Sequence, residues 1–296
     1  MVITDPDELF DAGLLQRYES LSLLARKLVR GRMRAERRSV RRGASVEFAE
    51  YRPFVAGDDY RYIDWHAFAR WRQLVLKLFI EEEDLHVHLL LDCSQSMDWG
   101  APVKFDQARR LIAGLAYIAL ANLDRASIVP LGLEAPPGLP PSRGRERFLQ
   151  IIRYLARCPV SSGVSRLEDR ARAWLASRPR RGSVVWVSDL LGRDPEDALR
   201  ALDRLRHARH EVAIIHLLDP SETLAGDPGE YEFEDCESGQ VRRVVVDQAA
   251  ARAFRQRVAD YRESLSRYGK KHQIPILSAQ TTDEVAGLLG LALRWQ

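Results

Sequence analysis

The segment Asp92-Cys93-Ser94-Gln95-Ser96-Met97 sets one carboxylate and two hydroxyls at alternate positions, so their oxygens can turn to one point while Cys93 and Gln95 face elsewhere. Hard oxygen donors of this kind suit magnesium, manganese or calcium rather than zinc or copper. A second carboxylate, Asp189, closes the apolar run GSVVWVSDL. Two carboxylates would balance a divalent charge and leave the ion seeking one further anionic ligand.

Other polar groups carry less. His86 and His88 alternate on one strand face without a third ligand at suitable spacing. His207 and His210 share a helix face near a C-terminus, where an imidazolium is favoured for local reasons. Cys93 has no general base that can be named beside it. Gly57-Asp58-Asp59 and Asp64 are read as turn formers that pair with Arg52, Arg61 or Arg70. Enzyme signatures are missing: there is no GxGxxG, Walker loop, GxSxG elbow or HExxH. A haloacid-dehalogenase-like phosphatase needs a second carboxylate two residues after its first, and Ser94 occupies that place.

The elements that must position these groups follow from periodicity. From about Asp7 to Arg38 apolar residues recur at helical spacing, and Arg30, Arg32, Arg34, Arg37, Arg38, Arg41 and Arg42 then crowd one stretch without the interleaved aromatics that stack on bases. SVEFAEYRPF, DYRYIDWHAFAR and QLVLKLFIEEE read as short strands with a tight turn. Beyond residue 84 the runs LHVHLLLD, ASIVPLG, GSVVWVSDL, EVAIIHLLD and PILSA alternate with amphipathic segments near 104–122, 144–157, 166–177, 194–209, 248–269 and 282–293. Such alternation predicts an α/β fold, a mainly parallel sheet flanked by helices on both faces. The proline-rich EAPPGLPPSRG is expected as a loop, and residues 229–247 as a hairpin insertion turning at Glu-Ser-Gly-Gln. Two regions result: a small helix-plus-strand region over 1–84 and the sheet domain over 85–296. In open parallel sheets ligands collect outside the carboxyl ends of the strands, which is where Asp92 and Asp189 fall.

DCSQSM resembles, residue for residue, the metal-ion-dependent adhesion site of von Willebrand factor A domains. The resemblance implies a Rossmann-like sheet with Ser94 and Ser96 as direct ligands of Mg2+ (or Mn2+ or Ca2+), a hydroxyl from a later loop, and Asp92 and Asp189 acting through water. The later loop departs from the family's Gly-Thr-Asp-Leu: its best match is Gly163-Val164-Ser165-Arg166-Leu167, so Ser165 would supply the hydroxyl while Arg166 brings a positive charge close. Upstream, Glu47-Phe48, Arg52 with Gly57-Asp58-Asp59, Ile63-Asp64-Trp65, Ala69-Arg70 and Leu76-Lys77 resemble the hallmark region of the bacterial family called domain of unknown function 58, a likeness running from about Gly43 to the C-terminus. Hydroxyls around the metal leave no nucleophile, and an open coordination position suits a partner's carboxylate, so the expectation is a non-enzymatic interaction module; the family resemblance implies that it works with a MoxR-type AAA+ ATPase. Two rival readings stay open: a metal-dependent hydrolase in the same pocket, and a scaffold whose metal site has decayed.

Composition sets the outer bounds. Lysine and arginine total 45 against 42 acidic residues, a net charge of +3, so there is no strong bulk field for nucleic acid. Three separated cysteines give neither a disulfide framework nor a thiolate zinc site. The acidic start MVITDPDELFDAG and the short apolar run 112–121 lead to the expectation of a cytoplasmic protein, reaching a membrane only through a partner.

Overall fold

The computed structural model describes residues 2–23, 38–41, 47–82, 85–132, 135–161, 166–192, 195–223, 229–236 and 239–294. They divide into two units, Met1–Leu23 with Leu85–Gln296, and Leu24–Asp84. The first 23 residues therefore belong with the sheet and not with the region that follows them. The cause is their apolar pattern. Helix α1 (Pro6–Leu9) is capped by Asp5, and helix α2 (residues 12–23) follows it. Leu9, Phe10, Leu14 and Tyr18 are buried in the same core as Phe105, Leu111 and Phe148. Polar ties fix the segment: the Tyr18 hydroxyl donates to the Arg110 carbonyl at 2.6 Å, and Arg110 Nε donates to the Leu9 carbonyl at 3.0 Å. The long basic helix anticipated from residue 7 onward is seen over 12–23, and residues 24–37 lie outside the described residues. Of the basic run, Arg38 and Arg41 fall in a strand.

The smaller unit holds strands β1 (Arg38–Arg41), β2 (Glu47–Pro53) and β3 (Val75–Glu82) in an antiparallel sheet of order β1-β3-β2, with helix α3 (Trp65–Trp71) between the last two. Its hallmark acids build local structure. Asp58 pairs with Arg52 and Asp59 with Arg61. Asp64 caps α3 by accepting the His66 and Ala67 amides at 2.9 and 3.1 Å, and it also takes the Tyr51 hydroxyl at 2.9 Å.

The larger unit runs β4 (His86–Asp92), α4 (Lys104–Ala121), β5 (Arg125–Leu131), β6 (Leu139–Ser142), α5 (Phe148–Arg157), α6 (Leu167–Ala176), β7 (Ser183–Ser188), α7 (Pro195–His207), β8 (Glu211–Leu218), α8 (Pro220–Thr223), β9 (Gly229–Glu234), β10 (Val241–Val246), α9 (Gln248–His272), β11 (Ile276–Gln280) and α10 (Val285–Ala292). Six strands form one sheet of order β11-β8-β7-β4-β5-β6, parallel except for β6. The α/β class anticipated from the sequence is the observed one. The proline-rich segment is corrected: part of it is the antiparallel edge strand β6, a place where a missing amide hydrogen costs no ladder bond. Strands β9 and β10 pair as the expected hairpin.

Strand alternation sorts the core. Leu89, Leu91, Val187, Ile215 and Leu217 pack on one face with α2, α4, α5 and α10, while Leu90, Val184, Trp186 and Ile214 pack on the other with α6, α7 and α9. Among the described residues no helix is long and apolar enough to cross a membrane.

Candidate functional site at the carboxyl ends of the strands

The ends of β4, β7 and β8 deliver Asp92, Asp189 and Asp219 to one edge of the sheet. Register fixes which way each acid turns. Asp92 continues the even positions of β4 and so faces the α6 side. Leu91 is opposite Val187, so Ser188 lies level with Asp92, and Asp189, one residue on, faces the α4 side.

Asp92 is fully buried and saturated with donors. Its Oδ1 accepts the Ser94 amide at 2.9 Å, the Ser94 hydroxyl at 2.7 Å and Arg170 Nη1 at 2.8 Å, and its Oδ2 accepts the Ser188 hydroxyl. Arg170, itself buried, comes from α6, whose Leu167 and Ala171 enter the core beside it. Ser94 is buried and its Oγ lies 3.1 Å from that of half-buried Ser96. Asp92, Ser94 and Ser96 are thus brought together as the spacing predicts.

Asp189 is engaged separately. Its Oδ2 accepts the ammonium of Lys104 at 2.7 Å and its Oδ1 the Leu191 amide at 3.1 Å. Lys104 has no exposed side-chain surface and also pairs with Glu222 of α8. Burial opposes its charge, but the Asp189 and Glu222 carboxylates outweigh that and hold the lysine above its ordinary pKa. Lys104 opens α4, the end where the helix dipole disfavours a cation, so the charge there depends on its acid partners. Beneath Asp189, buried His216 donates from Nε2 to the Asp189 carbonyl at 3.0 Å, and burial pushes its pKa down to about 4.

A third loop closes the edge. Asp219 accepts the Ser221 amide at 2.9 Å while its own amide donates to Glu222 Oε2 at 2.8 Å, a reciprocal cap that anchors the Asp-Pro-Ser-Glu turn. Asp219 also takes the Ala101 amide and the Thr281 hydroxyl. At Gly100, with φ of +101°, a Cβ would lie 2.5 Å from Asp219 Oδ2, so this position needs glycine on both counts. Trp99 and Leu191, on the loops after β4 and β7, are 57% and 43% exposed.

Ser165 lies outside the described residues. Arg166, expected to intrude on the site, is the residue before α6, and the guanidinium found on Asp92 is that of Arg170, one turn later. Sequence reading missed Arg170, Lys104, Ser188 and Glu222. Arg170 stands between Leu167 and Ala171 at core-facing helical spacing, and Asp-Pro-Ser-Glu has the form of a capping box, which were the available signals.

These residues do not fit a divalent ion in this arrangement. Both carboxylates are consumed by internal cations, and they share no hydrogen-bond partner among the described residues. An ion about 4 Å from either cation would meet a repulsion of about 8 kcal/mol at an effective dielectric of roughly 20. Among the described residues no group of three or more His, Cys, Asp or Glu side chains is arranged to hold a metal.

With this geometry in view, comparison with known proteins gives the family. The family model described as protein of unknown function DUF58 matches residues 50–264, and the chain belongs to that family. The Mycobacterium tuberculosis protein Rv1480 is 29% identical over 275 residues, spanning 92% of this chain and 86% of its own length. Two solved structures are similar at a TM-score of 0.42: an aerotolerance-related membrane protein from Bacteroides fragilis, 16% identical, and the BatB protein from Bacteroides thetaiotaomicron, 14% identical. Each covers 71% of this chain and 96% of the other.

Proposed function

We propose that this chain is a non-enzymatic protein-interaction module whose docking edge is the carboxyl end of the sheet, around Ser96, Trp99 and Leu191. The observation that carries the reading is the complete engagement of the strand-end acids. Asp92 and Asp189 are locked to Arg170 and Lys104, which leaves neither poised as nucleophile or general base. An exposed tryptophan beside a rigid, internally bonded edge is the kind of side chain that anchors a protein interface. Of the readings open at the outset, the reading of a decayed metal site fits this geometry better than a metal-dependent hydrolase. A MoxR-type AAA+ ATPase, implied by the family resemblance, is the first partner to test.

The experiment is capture of such an ATPase by the full chain, with and without chelator, and by Trp99→Ala. Capture should survive EDTA and fall roughly tenfold or more in Trp99→Ala. Capture that requires Mg2+, or magnesium-dependent phosphatase or nuclease turnover lost in Asp92→Ala, would remove this reading.

A further inference from the structure

The geometry points to Lys104 and Arg170 as permanent stand-ins for the ion that an Asp-x-Ser-x-Ser loop would otherwise hold, so that this edge is assembled without a divalent metal. Three observations carry it. First, each strand-end carboxylate has its own buried cation at hydrogen-bond distance, Arg170 on Asp92 at 2.8 Å and Lys104 on Asp189 at 2.7 Å. The remaining carboxylate oxygens accept the Ser188 hydroxyl and the Leu191 amide, so an ion would compete with a protein donor at each of the four oxygens. Second, Asp92 Oδ1 accepts three donors at once, the Ser94 amide, the Ser94 hydroxyl and Arg170 Nη1, so that oxygen keeps no lone pair for an ion. Third, Glu222 pairs with Lys104, so the extra acid group that an open ion would recruit from a partner comes from within the chain.

Charge balance agrees with this assignment. Within the ion-paired set Asp92, Asp189 and Glu222 face two cations, while Asp219 at the same edge is held by the Ser221 and Ala101 amides and the Ser221 and Thr281 hydroxyls. At Asp92 and at Asp189 the acid is already met by its own buried cation, whereas ordinary oxygen-ligand sites bring acids without competing lysine or arginine. The alternation of β4 and β7 enforces the split, since helices on opposite faces of the sheet supply the two cations.

The test is a Mn2+ titration of the full chain followed by electron paramagnetic resonance, alongside melting temperature in EDTA and in millimolar Mg2+ or Mn2+. Wild type should leave the free-ion signal undiminished and melt at the same temperature in all three solutions. Lys104→Ala/Arg170→Met, stripped of both cations, should gain a saturable Mn2+ site and a melting temperature that rises with Mn2+. Stoichiometric Mn2+ uptake by wild type that Ser94→Ala/Ser96→Ala abolishes would overturn the inference. So would a folded Lys104→Ala/Arg170→Met protein that binds no Mn2+. Should that variant fail to fold even with Mn2+, the milder Arg170→Met, which frees Asp92 beside Ser94 and Ser96, is read in its place by the same criteria, and the wild-type titration stands by itself. Partner capture is measured separately, so loss of the docking reading does not alter these outcomes.

Discussion

Replacing Arg170 by Met tests whether the guanidinium is what makes a buried, ionised Asp92 tolerable. Methionine keeps much of the buried arginine stem's bulk but removes the 2.8 Å bond to Asp92 Oδ1. Breaking a buried ion pair by removing one partner costs about 3–5 kcal/mol, because the other charge stays behind uncompensated. Here Asp92 would keep the Ser94 amide, the Ser94 hydroxyl and the Ser188 hydroxyl, which offset part of that cost. The low end, about 3 kcal/mol, is therefore expected. For a unit of this size it corresponds to a melting temperature lower by roughly 6–12 °C. Asp92→Asn added to Arg170→Met removes the orphaned charge and should return about half of the loss or more, a coupling that only directly interacting groups show. Urea denaturation followed by circular dichroism reads the midpoint at unchanged slope. An Arg170→Met protein within about 0.5 kcal/mol of wild type, a range ordinary for surface substitutions, would refute the argument. So would a double variant in which the two losses simply add.

Two further outcomes follow from other parts of the structure. His88 and His210 have pKa values lowered chiefly by burial, so the native state binds fewer protons there than the unfolded chain and favours the neutral rings. Their contribution is present above the ordinary histidine pKa of about 6.5 and is lost as pH falls below it, and His88→Gln should flatten that acid limb of a stability-versus-pH curve; an unchanged limb would count against it. Cys93 and Cys158 are buried with their sulfurs 3.9 Å apart, whereas Cys236 is exposed. Native alkylation with iodoacetamide followed by peptide mass mapping should mark Cys236 alone, and rapid labelling of Cys93 would contradict the burial of the strand-end loop.

How much was legible in the sequence differs between fold and site. The apolar runs placed the five parallel strands of the sheet because a parallel strand buried on both faces has to be largely apolar along its length, as LHVHLLLD and EVAIIHLL are. The strand β6 was hidden because prolines that signal a loop are equally at home on a sheet edge. The N-terminal helix was found, but its allegiance to the sheet unit was not, since periodicity shows that a face is apolar and not what it packs against. The same limit applied at the site. Asp92, Ser94 and Ser96 were read from local spacing, and a local turn does gather them. Lys104 and Arg170 are 12 and 78 residues away from Asp92, and only the packing of α4 and α6 against the sheet selects these two among 45 basic residues. The three cysteines were likewise read as separate, although β4 and the end of α5 bring two of them into contact.

The decisive clue was nevertheless present as a matter of parity. In a strand the side chains alternate, so residues level with each other across a parallel pair share a face. Ser188 is level with Asp92 and reaches it; Asp189 is one step out of phase and cannot share its direction without leaving the strand geometry. An Asp-x-Ser-x-Ser loop and a Ser-Asp strand end therefore combine into one metal pocket only if the chain after Ser188 bends Asp189 back over the rim. Here the Leu191 amide bonds to Asp189 Oδ1, the Leu190 amide bonds to the Ser188 hydroxyl, and His216 holds the Asp189 carbonyl from below, which together keep the carboxylate on the α4 side. Lys104 meets it there at the first turn of α4. The identity of the cation at this edge is thus set by which face each acid was dealt by its strand, and the hydroxyl-bearing loop, however suggestive its spelling, inherits that choice.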